Sequence, residues 1–305
     1  MKQKIPFTLN HYYFSEILGK GSFGNVYKAK SLLYNTEFAA KLIPLPKNSY
    51  FQVSQSFSAE VMALQKLDHQ NIIRLYDFFS IDDFFCIILE YCPGGTLKSL
   101  INPNIGVDSN FLYDSCYQII DAVSACHLMG ISHRDIKASN VLIDSHGRLK
   151  LADFGLCRVI KDKATLSVFD GSLAYSAPEI LLKKEHDPFL SDIWSLGVLF
   201  FQMATGKLPW NLDSEESITL SIVRCVLPPE IENGEPIMVL IKRMIVFNPH
   251  DRISILELKN HPLFLKKITL IPKKFIYRSR YSNFLTKPIS QKRRVLSKSL
   301  SHNDV

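Results

Sequence analysis

His133-Arg134-Asp135-Ile136-Lys137-Ala138-Ser139-Asn140 crowds charged and amide side chains directly behind a long helical pattern. Upstream, residues 109–129 carry Phe111, Leu112, Ile119, Ile120, Val123 and Cys126 at helical spacing and stop at Gly130, a residue suited to a helix C-terminus. The polar segment is therefore expected on a loop. Farther on come Asp153-Phe154-Gly155 and Ala177-Pro178-Glu179. Taken singly, each has a bland explanation: His133-Arg134-Asp135 as a surface charge cluster, Asp153 before Phe-Gly as a turn former.

Working back towards the N-terminus, Lys41 is harder to dismiss. It lies in Phe38-Ala39-Ala40-Lys41-Leu42, a strand-like run. A solitary ammonium facing a core costs several kcal/mol unless it is paired. Tyr12–Gly19, Gly24–Lys30 and Phe38–Ile43 read as strands. Val61, Leu64 and Leu67 recur at helical spacing over Ser56–Leu67, with Glu60 near the start. Ile72–Phe79 and Phe84–Tyr91 read as two strands joined by Ser80–Asp83. The first part of the chain is thus a small sheet with one helix. After Pro93-Gly94-Gly95 the pattern turns helical: residues 192–204 are apolar nearly all round, and helices follow at about 236–246 and 253–260. Gly19-Lys20-Gly21-Ser22-Phe23-Gly24-Asn25-Val26 sits between two expected strands, where glycines let backbone N–H groups approach phosphate oxygens. A dinucleotide-binding reading requires that motif to open a helix, and here it continues as strand. By itself it would be a hairpin turn.

In this order and spacing, the glycine segment, Lys41, Glu60, the 133–140 segment, Asp153-Phe154-Gly155, Ala177-Pro178-Glu179, Asp192-Ile193-Trp194-Ser195-Leu196-Gly197 and Arg252 after Asn248-Pro249 resemble the eukaryotic protein kinase family, serine/threonine type, loosely the calcium/calmodulin-dependent and related group. The resemblance covers residues 12–264. It implies an α+β, bilobal protein-kinase-like fold: an N-terminal extension (1–11), a β-rich N-lobe with one main helix (12–92), a mostly helical C-lobe (93–264), and a basic tail (265–305). It also implies ATP and Mg²⁺ as cofactors. Gly19, Gly21 and Gly24 would cover the phosphates, and Lys41, held by Glu60, would orient them. Asp153 and Asn140 would hold Mg²⁺, Asp135 would accept the substrate hydroxyl proton, and Lys137 would contact the γ-phosphate. Glu90 and Cys92 would bond the adenine edge through their backbone, beside Leu89 as gatekeeper. Val26, Ala39 and Leu142 would sandwich the ring, and Leu64, Leu75, His133 and Phe154 would stack into a spine joining the lobes. These apolar residues serve equally well as plain core. The expected reaction is transfer of the γ-phosphoryl group to serine or threonine hydroxyls of protein substrates. Lys137 and the complete run to Ala177-Pro178-Glu179 argue against a small-molecule kinase. A pseudokinase scaffold would be favoured by loss of Lys41, Asp135, Asn140 or Asp153, and all four are present.

Two departures bear on regulation and specificity. Many relatives carry a phosphorylated threonine three residues before the glycine matched by Gly171. Here that residue is Val168: either Ser167 or Thr165 substitutes for it, or the loop orders without phosphate, helped by Asp170, and a strict dependence on phosphorylation is not expected. Kinases that select arginine three residues before the acceptor commonly use two acids, and Thr96 and Ser139 stand in those places. A substrate guanidinium then lacks charge-assisted partners worth about 1.5–3 kcal/mol each. Leu156 resembles the bulky residue associated with serine over threonine.

Composition agrees with a globular protein: of 305 residues, 47% are apolar and 21% charged. The six cysteines form no CxxC pair, which points to thiols in a reducing compartment. The N-terminal run MKQKIPFTLNHYYF lacks a signal-peptide core, and no run approaches a membrane span. The expected location is the cytoplasm, with the nucleus as the alternative. Residues 265–305 hold eleven of the 36 Lys and Arg residues against one acid, Asp304, which leaves 25 basic and 28 acidic residues in 1–264. The basic charge therefore belongs to the tail. Nucleic acid, an acidic protein or an anionic lipid are its candidate partners, autoinhibition is another role, and a solvated end without function is the plain alternative. Lys292-Arg293-Arg294-Val295-Leu296-Ser297 resembles a basophilic phosphosite or nuclear address. A protein that acts mainly through this tail is a further reading of the whole chain. Sequence leaves the oligomeric state open.

Overall fold

The computed structural model describes residues 5–20, 24–45, 50–81, 83–159, 172–210 and 212–264. The N-terminal region is one antiparallel sheet in the spatial order β1-β2-β3-β4-β6-β5, built from β1 (Phe7–Leu9), β2 (Tyr12–Lys20), β3 (Asn25–Ser31), β4 (Glu37–Pro44), β5 (Leu75–Ile81) and β6 (Phe84–Glu90). Helix α1 (Tyr50–Lys66) packs on one face. The central strands are buried on both faces, and their residues divide by the two-residue period of a strand. In β4, Phe38, Ala40 and Leu42 join an aromatic cluster with Tyr12, Phe14 and Tyr27. Ala39 and Ile43 face the larger core with Phe57, Val61 and Leu64 of α1. Lys41 shares that second face and is 3% exposed.

The rest is mostly helical: α2 (Leu97–Leu100), α3 (Ser109–Leu128), α4 (Pro178–Leu181), α5 (Pro188–Thr205), α6 (Glu215–Val223), α7 (Pro236–Met244) and α8 (Ile255–Lys259). Asp108 starts α3 by accepting from the backbone N–H groups of Asn110 and Phe111, and Gly130, at φ 69°, follows its end. Helix α5 is buried nearly all round, as its composition requires. Two small ribbons complete the region: β7 (Ile131–Ser132) pairs with β10 (Arg158–Val159), and β8 (Val141–Ile143) with β9 (Leu149–Leu151). The segments 133–140 and 152–157 are thereby suspended between paired strands. None of the helices described is long and apolar enough to cross a membrane.

Several boundaries differ from expectation. Helix α1 begins at Tyr50, ahead of Ser56; Phe51 is 71% exposed and Val53 only partly buried, too sparse an apolar pattern to mark the start. Ile72 and Ile73 are buried but precede β5, because Ile73 N–H bonds the carbonyl of Leu151 on β9 instead of joining the sheet. Helix α5 starts at Pro188 behind the cap Asp187, before residue 192. Strand β1 falls in the stretch taken as an extension, paired to β2 with Phe7 stacked on Phe14 at 4.6 Å. Helix α6, which has a weak apolar period, is an addition. The tail lies outside the described residues.

Candidate active site

The Lys41 side chain leaves β4 towards α1 and finds two carboxylates. Its Nζ donates to Glu60 Oε2 at 2.8 Å and Oε1 at 3.0 Å, and to Asp153 Oδ1 at 2.8 Å. Burial alone would strip the proton from this ammonium, but Glu60 and Asp153 outweigh it and hold the Lys41 pKa above its ordinary value. Burial likewise opposes the charge of Asp153, yet the Lys41 ammonium, through its charge and its hydrogen bond, keeps the Asp153 carboxyl below the usual range, with Lys137 adding to it. Asp153 remains 29% exposed at its side chain, so it can reach beyond the pair.

A second cluster gathers around Asp135, which is 6% exposed. Its Oδ2 accepts from Lys137 Nζ at 2.6 Å and Asn140 Nδ2 at 2.9 Å, and its Oδ1 from Ser172 Oγ at 3.0 Å. Lys137 also donates to Ser172 Oγ at 2.7 Å, so the hydroxyl, ammonium and carboxylate close a ring. The loop behind them is fixed from α5: Asp192, 1% exposed, accepts from the backbone N–H of His133 at 2.9 Å and of Arg134 at 2.8 Å. These bonds and His127 Nε2 at 2.9 Å hold Asp192 ionised in spite of burial. Arg134 and Asp153 adopt left-handed backbone conformations, φ 68° and 63°. Each costs about 1–3 kcal/mol and persists only where the surroundings impose it.

His133 ties the two clusters together. Its ring meets Phe154 edge-on at 4.7 Å, its Nε2 faces the carbonyl of Ala152 at 3.1 Å, and its Nδ1 accepts from the backbone N–H of Asp135 at 3.3 Å. Only a neutral ring with the proton on Nε2 satisfies both bonds, and burial lowers the His133 pKa accordingly.

The remaining candidates lie around Lys41 on the strands. Gly19 pairs across β2–β3 with Val26, and Val26 pairs with Lys41. Ala39 pairs with Leu89, and Leu142 and Val26 are half-buried against the same core. Glu90 ends β6; its side chain is bound by Lys150 of β9 at 2.9 Å. Cys92 follows half-buried, and burial and Glu90 push its thiol up to about 12. Gly21 falls outside the described residues. Gly24 has a structural reason of its own: a Cβ there would lie 2.1 Å from the Leu42 carbonyl oxygen on β4. Leu64, Leu75, His133 and Phe154 all pack in the connecting core or on its flank. Below the site, Glu179 is gripped by both Arg252 Nη atoms at 2.7 Å and by Ser191 at 2.9 Å, which fixes Ala177-Pro178-Glu179. Ser172 is the residue missed by sequence reasoning; a hydroxyl just ahead of Ala177-Pro178-Glu179 is a faint signal, and only the fold brings it to Asp135.

A model of the protein kinase domain matches residues 12–264, nearly all of the described chain. The chain belongs to the protein kinase domain family. Among similar proteins, the probable serine/threonine-protein kinase MARK-C of Dictyostelium discoideum is 35% identical over 254 residues, covering 82% of this chain and 33% of that protein. The mouse serine/threonine-protein kinase SIK1 is 31% identical over 259 residues, covering 85% of this chain and 33% of its own length. The fission yeast (Schizosaccharomyces pombe) serine/threonine-protein kinase cds1 is 32% identical over 278 residues, covering 86% and 60%. This kinase-domain chain thus spans about a third of the first two relatives.

Proposed function

We propose that the chain transfers the γ-phosphoryl group of ATP to serine or threonine hydroxyls of proteins, in the manner of serine/threonine kinases. The observation that carries this reading is the Asp135 carboxylate, held by Lys137, Asn140 and Ser172 beside the Lys41–Glu60–Asp153 ion pairs. Phosphoryl transfer calls for positioning and neutralised charge more than for covalent help. Lys41, kept protonated and aimed by Glu60, is suited to the non-transferred phosphates. Asp135 is placed to accept a bond from an incoming hydroxyl and take its proton, and Lys137 to meet charge growing on the transferred group. Gly19, Gly21 and Gly24 would cover the phosphates, and the backbone of Glu90 and Cys92 would meet adenine between Val26, Ala39 and Leu142.

The residues present fit a magnesium–nucleotide complex. Asp153 is partly exposed, and the Asn140 amide, with its Nδ2 donor taken by Asp135, keeps its Oδ1 as the atom that could ligate a cation. Among the described residues no cluster of three or more His, Cys, Asp or Glu could hold a metal ion. A carboxylate with an amide oxygen suits Mg²⁺, which takes its other ligands from water and phosphates. The bound nucleotide would supply the phosphoryl group, and the ion would neutralise its charge.

Thr96 and Ser139 are both half-buried and neutral, which supports weak selection for arginine three residues before the acceptor. The deciding experiment is incubation with Mg-ATP and a degenerate peptide library, comparing the wild type with Asp135→Ala. Labelling that disappears in the variant is expected. Nucleotide binding with no labelled acceptor, the chain itself included, would leave only a scaffold.

A further inference from the structure

The three residues after Asp153 have their carbonyls held from three directions. The Phe154 carbonyl accepts from the backbone N–H of Cys157 at 3.1 Å. The Gly155 carbonyl accepts from Ser56 Oγ at 2.5 Å, and the Leu156 carbonyl from Arg134 Nη1 at 3.3 Å. Ser56 stands on α1 one turn before Glu60, so the two side chains lie on one face of the helix. Between them Ala59 offers its carbonyl to Cys157 Sγ at 3.6 Å. Helix α1 is therefore fastened to the 153–157 segment by an ionic contact through Lys41 and by an uncharged one through Ser56.

The two fastenings differ in what disturbs them. Lys41 is the cation on which nucleotide phosphates would draw, so its bond to Asp153 competes with ligand. The Ser56 bond involves no group that the nucleotide or the metal would use. Asp153 in its left-handed conformation needs just such a restraint close by in the chain.

We propose that Ser56 is a positioning residue: by holding the Gly155 carbonyl to α1, it fixes Asp153 in the geometry that binds the metal–nucleotide complex. This rests on the kinase reading only in taking Asp153 as the metal-binding residue, and equilibrium binding separates the two claims. The test compares the full chain with Ser56→Ala, Ser56→Thr and Ser56→Cys, using a fluorescent ATP analogue with Mg²⁺ and again with EDTA. Loss of one hydrogen bond should weaken binding about three- to ten-fold in Ser56→Ala with Mg²⁺ and leave binding in EDTA unchanged. Ser56→Thr, which keeps the hydroxyl, should return to within about two-fold of wild type. Where labelling is observed, the KM for Mg-ATP should rise more than kcat falls in Ser56→Ala. If the alanine variant does not fold, Ser56→Cys, which keeps the size and weakens the donor, carries the same comparison. Wild-type Mg²⁺-dependent binding in Ser56→Ala, equal losses with and without Mg²⁺, or a threonine variant as impaired as alanine would each overturn the proposal. A wild type that binds Mg-nucleotide but labels nothing would defeat the kinase reading and leave the Ser56 result standing.

Discussion

At the scale of single residues, Lys41 and Gly24 show how differently two positions of one motif set can be constrained. Removing the Lys41 ammonium leaves Glu60, 1% exposed, as a buried carboxylate without its cation. Breaking a buried pair from one side costs about 3–5 kcal/mol. Lys41→Met should therefore lower stability by that order in chemical denaturation, as well as lose phosphoryl transfer, and adding Glu60→Gln should recover much of the stability and none of the activity. Gly24 has no comparable electrostatic role. Its hydrogen lies where a methyl group would strike the Leu42 carbonyl, so β3 can approach β4 only without a side chain. Gly24→Ala should destabilise by about 1–3 kcal/mol through forced separation of the strands, read as a fall in the unfolding midpoint.

At the scale of elements, the polar segment between β7 and β8 is shaped mainly by α5, through Asp192. Asp192→Asn exchanges a charged two-oxygen acceptor for one oxygen and a donor turned against backbone N–H groups. Faster amide hydrogen exchange at His133 and Arg134 is expected, with a fall in any transfer rate; unchanged exchange would show that the loop holds its own shape. This division also explains what sequence makes legible. Lys41 announces itself because an ammonium on the core face of β4 demands a partner, and Glu60 is within one helix of it. Helix α5 declares its burial by being apolar all round. Ser172 and Ser56 give no such warning. Serine is commonplace, and their contacts with Asp135 and Gly155 join points 37 and 99 residues apart, which exist only once the segments have packed. The start of α1 is hidden for the opposite reason: Phe51 is exposed and Val53 only partly buried, so no apolar period records it.

At the scale of the whole molecule, two features govern the response to conditions. His133 is buried as a neutral ring with its pKa lowered below the ordinary 6.5, so the unfolded chain takes up protons first as pH falls. Its contribution to stability is complete above pH 6.5 and is lost as pH drops through the folded-state value. Asp153, Asp192 and Glu179 have lowered carboxyl pKa values, and their contributions disappear only under stronger acid. Denaturation midpoints measured against pH should decline in two steps; His261 is lowered in the same sense, so His133→Phe should shrink the upper step and leave the lower one in place. The second feature is Arg134, whose Nη1 meets the Leu156 carbonyl while residue 168 is valine. Where peptide labelling is observed, phosphatase-treated protein should keep its transfer rate within about two-fold, measured with one peptide before and after treatment; abolished activity would refute this. Finally, β1 stands outermost in the sheet, stacked over Phe14, ahead of the point where the family match begins. A recombinant fragment trimmed to residue 12 would bare both the aromatic ring and a row of unbonded amides along β2, and should clump on concentration where the 305-residue chain passes cleanly through a sizing column.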